Sequence, residues 1–301
     1  MDIRIGAGIV LYNPEIKLLK KNIDALYGQV DKILLYDNGS DNLKVVQSFF
    51  DKSRYKKIVI KNGGKNKGIA FALNFILNWA KKEQYDWVLT MDQDSICAPN
   101  LISKYSHYLY KKGVALLCPF ILNNNKFTLD EYKKLGLPKT SEIKDPVKCI
   151  TSGCLTNVRI AQKVNGFNNK LFIDCVDFDL NCKILEAGYK ILRINGTYLI
   201  QKMGKGKKIY LFSELQKLTG LDLFRKAKTV AVYSNSRLYY YIRNTRYLRK
   251  KYNNHGRRTS FLFVFCYSLY FSIFYPYDRN RIRMWKAMIR GFKDYKKIEE
   301  E

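Results

Sequence analysis

Short apolar runs alternate with helix-like segments over the first part of this 301-residue chain, and this alternation restricts the fold more than any other feature. The apolar runs have the length and composition of buried strands and lie at residues 3–12, 32–36, 57–60, 86–90 and 114–119. The segments between them are expected to form helices that end near residues 27, 50, 81 and 112. This alternation predicts an α/β protein with a mostly parallel, doubly wound, Rossmann-like sheet.

Polar, turn-forming clusters follow three of the expected strands. They are Tyr12-Asn13-Pro14, Asp37-Asn38-Gly39-Ser40 and Asp92-Gln93-Asp94. Because ligands of doubly wound sheets bind beyond the carboxyl ends of the strands, we expect these clusters to converge on one binding site.

Asp92 and Asp94 place two carboxylates one residue apart after a buried strand. Carboxylates this close repel each other unless a cation lies between them. Oxygen ligands favour Mg²⁺ or Mn²⁺, and proteins often share these ions with a diphosphate. The alternative is a loop whose acids are solvated.

Two other segments of this half allow both a binding and a structural interpretation. Asp37 is suited to accept hydrogen bonds from a ribose or a base, or to cap a turn. The loop at residues 63–68 lacks the dinucleotide and phosphate-loop fingerprints. Its lysines and the next helix N-terminus could approach a phosphate, or the segment is a plain loop.

The polar, Lys-rich segment at residues 123–148 is expected to be a loop, and residues 189–194 are expected to form another strand. Between them, a second compact region carries Thr151-Ser152-Gly153 and three acids, Asp174, Asp177 and Asp179, near the start of a helix. The macrodipole alone favours acids at a helix N-terminus. The functional alternative is a general base that takes a proton from a hydroxyl group. Asp177 and Asp179 lie about 200° apart around a helix, so they cannot both face one pocket.

The positive charge is concentrated in the last third. The net charge is +28, and from residue 202 onward 24 Lys and Arg face 7 Asp and Glu. This region attracts polyanions such as nucleic acid, anionic lipid or nucleotide-linked substrates. Its Arg and Tyr run at residues 237–244 suits base stacking, a membrane surface or packing on the α/β part of the chain. Residues 261–277 are expected to form an interfacial or buried helix rather than a membrane span.

Cysteine and histidine usage argues against two classes of site. Seven Cys occur without a Cys-x-x-Cys pair, and two His are too few for a His-rich metal site or a His-based triad to be expected. Cys97, Cys118 and Cys266 lie in apolar runs and are expected to be reduced core residues of a cytosolic protein. The N-terminus lacks the pattern of a signal peptide, which agrees with that expectation.

In this order, the segments resemble the family 2 glycosyltransferases, and most closely their rhamnosyltransferase-like branch. The resemblance runs over nearly the whole chain. Its motifs are at residues 8–14, 35–40, 66–74, 91–95, 172–177, 237–244 and 289–294.

The resemblance implies a GT-A fold at residues 1–210, followed by a basic, aromatic, helical, membrane-associating extension at residues 211–301. It implies inverting transfer from a nucleotide sugar. Asp177 would be the base, and Asp94 and Asp92 would hold a divalent ion, Mn²⁺ or Mg²⁺. The implied nucleotide-binding residues are Tyr12, Asn13, Pro14, Asp37, Asn38, Asn66, Gly68, Asp92 and Gln93. The implied acceptor-side residues are Thr151, Ser152, Gly153, Asp174 and Asp179.

One segment departs from the family pattern. A His-x-x-Gly usually follows the late strand, and its His can ligate the metal, whereas this chain has Gln201-Lys202-Met203-Gly204. Gln201 offers a weaker carbonyl ligand. Alternatively, Lys202 stabilises the diphosphate directly.

The expected function is sugar transfer to a polyprenyl-diphosphate-linked saccharide in bacterial surface polysaccharide synthesis, such as capsule or cell wall. The expected location is the cytoplasmic face of the plasma membrane, where the basic extension would contact anionic lipid. dTDP-L-rhamnose is the expected donor and a UDP-hexose, such as UDP-galactose, is the alternative. A nucleic-acid-binding protein leaves the strand-end acids unexplained, so no nucleic-acid partner is expected. An inactive scaffold is a further alternative, because of Gln201.

Overall fold

The computed structural model describes residues 3–51, 55–123, 128–201, 206–252, 261–274 and 280–300. The chain forms two compact units, which we call unit 1 (residues 1–202) and unit 2 (residues 203–301). The expected boundary at residue 210 lies later in the chain, at the first residue of a helix of unit 2.

Unit 1 is built on one mixed sheet. Its strands are β1 (Ile5–Leu11), β2 (Lys32–Asp37), β3 (Ile58–Asn62), β4 (Trp87–Asp92), β5 (Ile96–Cys97), β6 (Val114–Asn123), β7 (Thr140–Glu142), β8 (Cys154–Asn157) and β9 (Lys190–Gln201). Its helices are α1 (Ile16–Tyr27), α2 (Leu43–Phe49), α3 (Ile69–Lys82), α4 (Leu101–Ser106), α5 (Leu129–Lys134), α6 (Val158–Lys163) and α7 (Val176–Glu186).

The strand order is β3-β2-β1-β4-β8-β6-β9-β5, with β7 paired to β9. Strands β1 to β4 are parallel neighbours, and β6 and β9 are also parallel. β8 lies antiparallel between β4 and β6 and links the two parallel groups. The expected α/β fold with a mostly parallel sheet is therefore confirmed.

Successive side chains of a strand point to opposite faces of the sheet. Because the central strands carry apolar side chains on both faces, helices cover both faces. On β2, Ile33 and Leu35 belong to one buried cluster and Leu34 belongs to another. Ile23 of α1 packs in the first cluster and Ile76 of α3 in the second. This is the doubly wound arrangement expected from the sequence.

Three segments differ from the expectation. The helix expected to end near residue 112 is α4, which ends at Ser106 and is followed by turns such as Tyr108 N–H to the Tyr105 carbonyl at 2.9 Å. The strand expected at residues 189–194 continues to Gln201, because β6 pairs with it past a register shift. The segment at residues 123–148, expected as a loop, contains α5 and β7.

Unit 2 contains a two-stranded antiparallel sheet and helices. These are β10 (Gly206–Lys208), α8 (Tyr210–Thr219), α9 (Asp222–Ala227), β11 (Thr229–Ala231), α10 (Asn235–Lys251), α11 (Phe261–Phe274), α12 (Arg281–Asp294) and α13 (Lys297–Glu300). Leu238, Phe271 and Met284 lie in its buried core. Cys266, expected in a core, is exposed. Among the described residues, no helix is both long and apolar enough to cross a bilayer.

Candidate active site

The carboxyl ends of the parallel strands meet at one edge of the sheet. The pairing register places Asp37, the last residue of β2, beside Leu11, and Asp92, the last residue of β4, beside Val10. The three polar clusters predicted from the sequence are therefore brought together at this edge.

The backbone of Asp92 is held from two sides. Its N–H donates to Ser152 Oγ at 3.0 Å, and its carbonyl oxygen accepts from Asn22 Nδ2 at 2.6 Å. Asn22 is fully buried on α1, between Leu19 and Ile23 of the core face. Sequence reasoning missed Asn22, although an amide within an otherwise apolar helical stripe is a signal that could have found it.

The side chain of Asp92 accepts a hydrogen bond from Gln201 Nε2 at Oδ2, at 3.1 Å. Burial raises the pKa of Asp92 to about 6, and repulsion from Asp94 and, more weakly, from Asp177 adds to this rise. The three acids are therefore close enough to interact electrostatically, and their combined charge favours a cation at this edge.

Asp94 is exposed, and the residue before it links two strand ends. Tyr12 N–H donates to Gln93 Oε1 at 2.9 Å, and Gln93 Nε2 donates to the Tyr12 carbonyl at 3.1 Å. This reciprocal pair orients the loop that carries Asp94 relative to the end of β1.

Asp37 organises the turn after β2. It is 1% exposed, and its carboxylate accepts from the N–H groups of Gly39 and Ser40, at 3.0 and 3.1 Å to Oδ2. Asn13, at a φ of 47°, donates its N–H to Ser40 Oγ at 2.9 Å, and Pro14 accepts from Asn42 at 2.9 Å. The Asp37 side chain thus offers a ligand little surface, and the turn around it forms the wall of the site.

Asn38 and Asn66 connect this turn to the loop before α3. Asn38 Nδ2 donates to Asn66 Oδ1 at 3.1 Å, and the same oxygen accepts from Gly68 N–H at 2.9 Å. Gly68 has a φ of 87°, and a Cβ there would lie 2.6 Å from the Phe172 carbonyl oxygen. Only glycine fits this left-handed, close-packed position.

The segment that leads into α7 is conformationally unusual. Phe172, Asp174 and Cys175 have positive φ values of 61°, 64° and 62°, a region that side chains other than glycine rarely adopt. Ile69 N–H donates to the Phe172 carbonyl at 2.6 Å, so the segment is joined to the start of α3. Backbone strain of this kind concentrates at functional sites.

Asp177 lies in the first turn of α7 and accepts from Phe178 N–H at 2.8 Å. It lines a small cavity together with Thr90, Thr151 and Asn181. Asp174, three residues earlier, is half-buried. The half-buried Asp177 therefore lies beside the β4 and β8 side of the sheet edge, where its pKa effect on Asp92 also locates it.

The Thr151-Ser152-Gly153 segment is held mainly by its own backbone bonds. The Thr151 carbonyl accepts from Thr90 Oγ1 at 2.7 Å, and Gly153 bonds Thr90 and Tyr105 through its N–H and carbonyl, both at 2.8 Å. A Cβ on Gly153 would lie 3.0 Å from the Pro119 ring, so this buried residue packs closely against the interior.

Asp179, expected on the acceptor side, does not reach an open pocket. It is fully buried, and its Oδ2 lies 3.1 Å from Lys183 Nζ, which also donates to the Gly166 carbonyl at 2.9 Å. The helical angle that separates it from Asp177 turns it into the interior. Lys202, expected near the diphosphate, lies outside the described residues.

The described residues fit a divalent ion that enters together with a phosphate ligand. They contain no group of three or more His, Cys, Asp or Glu that would hold a metal by itself. Asp92 and Asp94 do supply carboxylate oxygens, and burial together with repulsion from Asp94 raises the pKa of Asp92. Mg²⁺-type ions are commonly held by one or two carboxylates plus substrate phosphates.

A doubly wound sheet with an acidic carboxyl edge is the arrangement of a GT-A glycosyltransferase, and solved structures of that class have this fold. S. aureus TarS in complex with UDP-GlcNAc superposes with a TM-score of 0.59 at 12% identity, over 98% of this chain and 81% of that one. GalNAc-T7 with UDP, GalNAc and Mn²⁺ gives a TM-score of 0.58 at 11% identity. This superposition covers 98% of the present chain and 56% of GalNAc-T7.

Residues 7–163 match the sequence model of Glycosyl transferase family 2, and the chain belongs to this family. It is therefore a glycosyltransferase, and the resemblance noted in the sequence is confirmed. It is also similar to the dTDP-rhamnosyl transferase RfbF of Shigella flexneri, with 26% identity over 260 residues that cover 83% of this chain and 81% of RfbF.

Proposed function

We propose that the protein transfers L-rhamnose from dTDP-L-rhamnose, with inversion, to a lipid-linked saccharide. The observation that carries the reaction type is the position of Asp92 at the carboxyl edge of the sheet, close enough to Asp94 and Asp177 to interact electrostatically. The choice of donor is supported by the similarity to a dTDP-rhamnosyl transferase.

The nucleotide would lie against the ends of β1 and β2. Tyr12 and Asn13 are exposed in the loop after β1, whereas Pro14 and Asn38 are buried and would support the turn that Asp37 holds. The hydrogen bond between Gly68 and Asn66 would hold the loop before α3 at the border of the nucleotide site. Gln93, in the acidic loop, connects that loop to Tyr12 at the end of β1.

Asp94 and Asp92 would hold the divalent ion, Mn²⁺ or Mg²⁺. When bound, the ion neutralises the charge that builds on the diphosphate as it leaves. Gln201 donates a hydrogen bond from its Nε2 to the Asp92 carboxylate. We therefore assign Gln201 primarily the role of orienting Asp92, and only secondarily that of a metal ligand. Lys202, the next residue, is the candidate for a direct diphosphate contact.

Asp177 would act as the general base. Its carboxylate takes the proton of the acceptor hydroxyl while that oxygen forms a bond to the anomeric carbon. The bond from this carbon to the diphosphate oxygen breaks on the opposite face, which inverts the configuration. Thr151 shares a cavity with Asp177, and Asp174 lies on the strained segment before it, so both belong to the acceptor side.

We assign residues 1–210 to donor binding and catalysis and residues 211–301 to membrane association. The acceptor would be a polyprenyl-diphosphate-linked oligosaccharide of bacterial surface polysaccharide synthesis. The excess of 24 basic over 7 acidic residues from residue 202 onward supports contact with an anionic membrane surface.

Calorimetric titration with dTDP-L-rhamnose, UDP-galactose and UDP-glucose tests the donor, each with Mn²⁺ and with EDTA. We expect dTDP-L-rhamnose to bind in a metal-dependent manner and Asp94→Asn to abolish this dependence. Asp130→Asn is the matched control, because Asp130 is an exposed acid in the first turn of α5.

Tight binding of UDP-galactose instead would replace the donor but keep the reaction type. Binding that is unchanged in EDTA would move the diphosphate role to Lys202. If no donor binds and cellular function survives Asp92→Asn, Asp94→Asn and Asp177→Asn, the catalytic proposal is wrong and the chain acts as a scaffold.

A further inference from the structure

Helix α12 presents three distinct faces. At about 100° per residue, its buried residues Met284 and Met288 share one face with Gly291. Four large apolar residues lie within about 80° of one another on a second face and are all exposed. They are Ile282, Trp285, Ile289 and Phe292.

The third face of α12 is basic and borders the exposed apolar face. It carries Arg283, Lys286, Arg290 and Lys293, all exposed and within about 80° of one another. An apolar stripe with a cationic border is the pattern of a helix that lies in the plane of an anionic membrane surface.

Helix α11 repeats the exposed apolar face without any charge. Leu262, Phe265, Leu269 and Ile273 lie within about 80° of one another and are 69%, 57%, 51% and 52% exposed. On the other side, Phe271 is buried in the core of unit 2. The 14 described residues of α11 span about 21 Å, which is shorter than a bilayer core of about 30 Å.

The two exposed faces border one groove. Phe265 of α11 and Trp285, Ile289 and Phe292 of α12 line it, with Ile242 of α10 at its floor. A continuous patch of exposed apolar side chains, such as the one formed by α11 and α12, marks a site of interaction with a protein or a membrane.

A basic pocket of about 340 Å³ adjoins the end of this groove. It is lined by Arg246, Arg249, Lys250 and Tyr295. Arg246 joins the two features, because its guanidinium lies 3.6 Å from the centre of the Phe292 ring and donates to the Phe292 carbonyl at 2.9 Å. An apolar groove that ends at three cations matches the chemistry of a lipid: acyl chain first, then phosphate.

We propose that α11 and α12 lie in the surface of an anionic bilayer, with the exposed apolar faces among the acyl chains and one lipid phosphate in the Arg246 pocket. The charge argues for this occupant over a second copy of the chain, because a second copy would bring the same cations against this surface. The inference deepens the membrane association that is part of the proposed function. It rests on that function only for the identity of the lipid-linked acceptor, because the surface itself is argued from residues of unit 2 alone.

Sedimentation with vesicles tests the surface. We expect binding to phosphatidylcholine vesicles that contain phosphatidylglycerol, with weaker binding in high salt. Ile289→Ser combined with Phe292→Ser should lower the partition coefficient by about 100-fold, because two large side chains no longer leave water. Tyr110→Ser is the matched control, since Tyr110 is 77% exposed but belongs to unit 1.

Replacing Arg249 and Lys250 by Gln tests the pocket separately. This change should reduce the preference for anionic over neutral vesicles while the apolar contribution remains. An unchanged preference would overturn the assignment of the phosphate to this pocket.

Trp285 provides a reading from the surface itself. The chain has three Trp, and the other two, Trp79 and Trp87, are 9% and 2% exposed, whereas Trp285 is 51% exposed. Vesicles with brominated acyl chains should quench the fluorescence of the wild-type protein. Trp285→Phe should still sediment with vesicles but show little quenching.

Three results would overturn the proposal: equal binding of wild type and the Ile289 and Phe292 variant, no quenching of Trp285 in vesicle-bound protein, or a dimer in solution that dissociates in that variant. Donor titration without vesicles, on the same proteins, separates this outcome from the proposed function. A variant that binds the donor normally but not vesicles leaves the catalytic proposal intact.

Discussion

Unit 1 and unit 2 bury their apolar residues in different ways. In unit 1, the two faces of the sheet are covered by helices, and the polar groups of the site collect at the carboxyl edge. In unit 2, a small core leaves large side chains such as Leu262, Trp285 and Ile289 exposed. The site of unit 1 is thus shaped by the chain's own hydrogen bonds. The exposed apolar side chains of unit 2, in contrast, leave water only when the proposed membrane surface covers them.

The largest effect is expected in the site of unit 1. Asp177→Asn should lower kcat by about 10²–10⁴-fold, because the acceptor hydroxyl loses the group that takes its proton. Steady-state kinetics with donor and acceptor measures this change, and calorimetry should show unaltered donor affinity. The amide keeps the shape of the carboxylate, so the fold should persist.

Asp130→Asn is the control for that substitution and should retain wild-type kcat. If Asp177→Asn weakens donor binding and leaves kcat unchanged, Asp177 is a binding residue. The comparison between a self-contained site and a partner-dependent surface would remain, but the base would have to be sought elsewhere.

The second prediction tests whether unit 2 has a core of its own. Met284 is fully buried and Ile282, two residues earlier on α12, is 69% exposed. Met284→Ala should lower the free energy of unfolding by about 2–5 kcal/mol, because it leaves a cavity. Ile282→Ala should change it by less than about 0.5 kcal/mol.

Chemical denaturation of both variants, without vesicles, measures this difference. Equal effects would mean that the exposed face of α12 is covered in the free protein, which would remove the contrast between the two units. Ile282→Ala should weaken vesicle binding instead.

The third prediction concerns two glycines of the nucleotide side, Gly39 and Gly64. Their φ values are 89° and 78°, so alanine is strained at either position. A Cβ on Gly39 would also lie 2.7 Å from Asn66 N, whereas nothing lies within 4 Å of a Cβ on Gly64. Gly64→Ala should cost about 1 kcal/mol, and Gly39→Ala should cost more, up to about 3 kcal/mol.

Donor titration distinguishes the two variants further. Gly39→Ala should weaken donor binding, because the turn held by Asp37 must move away from Asn66, and Gly64→Ala should not. If both bind equally well, the loops at this edge are more adaptable than their hydrogen bonds indicate.

The sequence predicted elements whose pattern is local. α1 ends at Tyr27, as expected, because its apolar residues recur at helical spacing up to that point. The strand ends at Asp37 and Asp92 were also expected, since each follows a continuous apolar run. Most residues of the candidate site lie on these ends and were therefore named from the sequence.

Long-range pairing was not predictable in the same way. β8 has four residues and lies antiparallel between β4 and β6, and a period-two pattern carries no information on which strand it will join. The same holds for Asp179, which shares its helix start with Asp177 but is buried against Lys183. Asn22 contacts Asp92 across 70 positions of sequence, a contact that only the fold creates.

The smallest effect is expected where the site is held by a single replaceable hydrogen bond. Ser152 is buried, and its Oγ accepts from the N–H of Asp92 at 3.0 Å. Ser152→Ala leaves that N–H without this acceptor and should cost about 1 kcal/mol of stability, with a similar loss in metal-dependent donor binding. Ser106→Ala is the control, because Ser106 is exposed and its Oγ donates to the Ser103 carbonyl of the same helix at 2.8 Å. A loss of stability without any loss of donor binding would mean that Asn22 and Gln201 alone keep Asp92 in place, and that the edge of the sheet is more rigid than any one of its contacts.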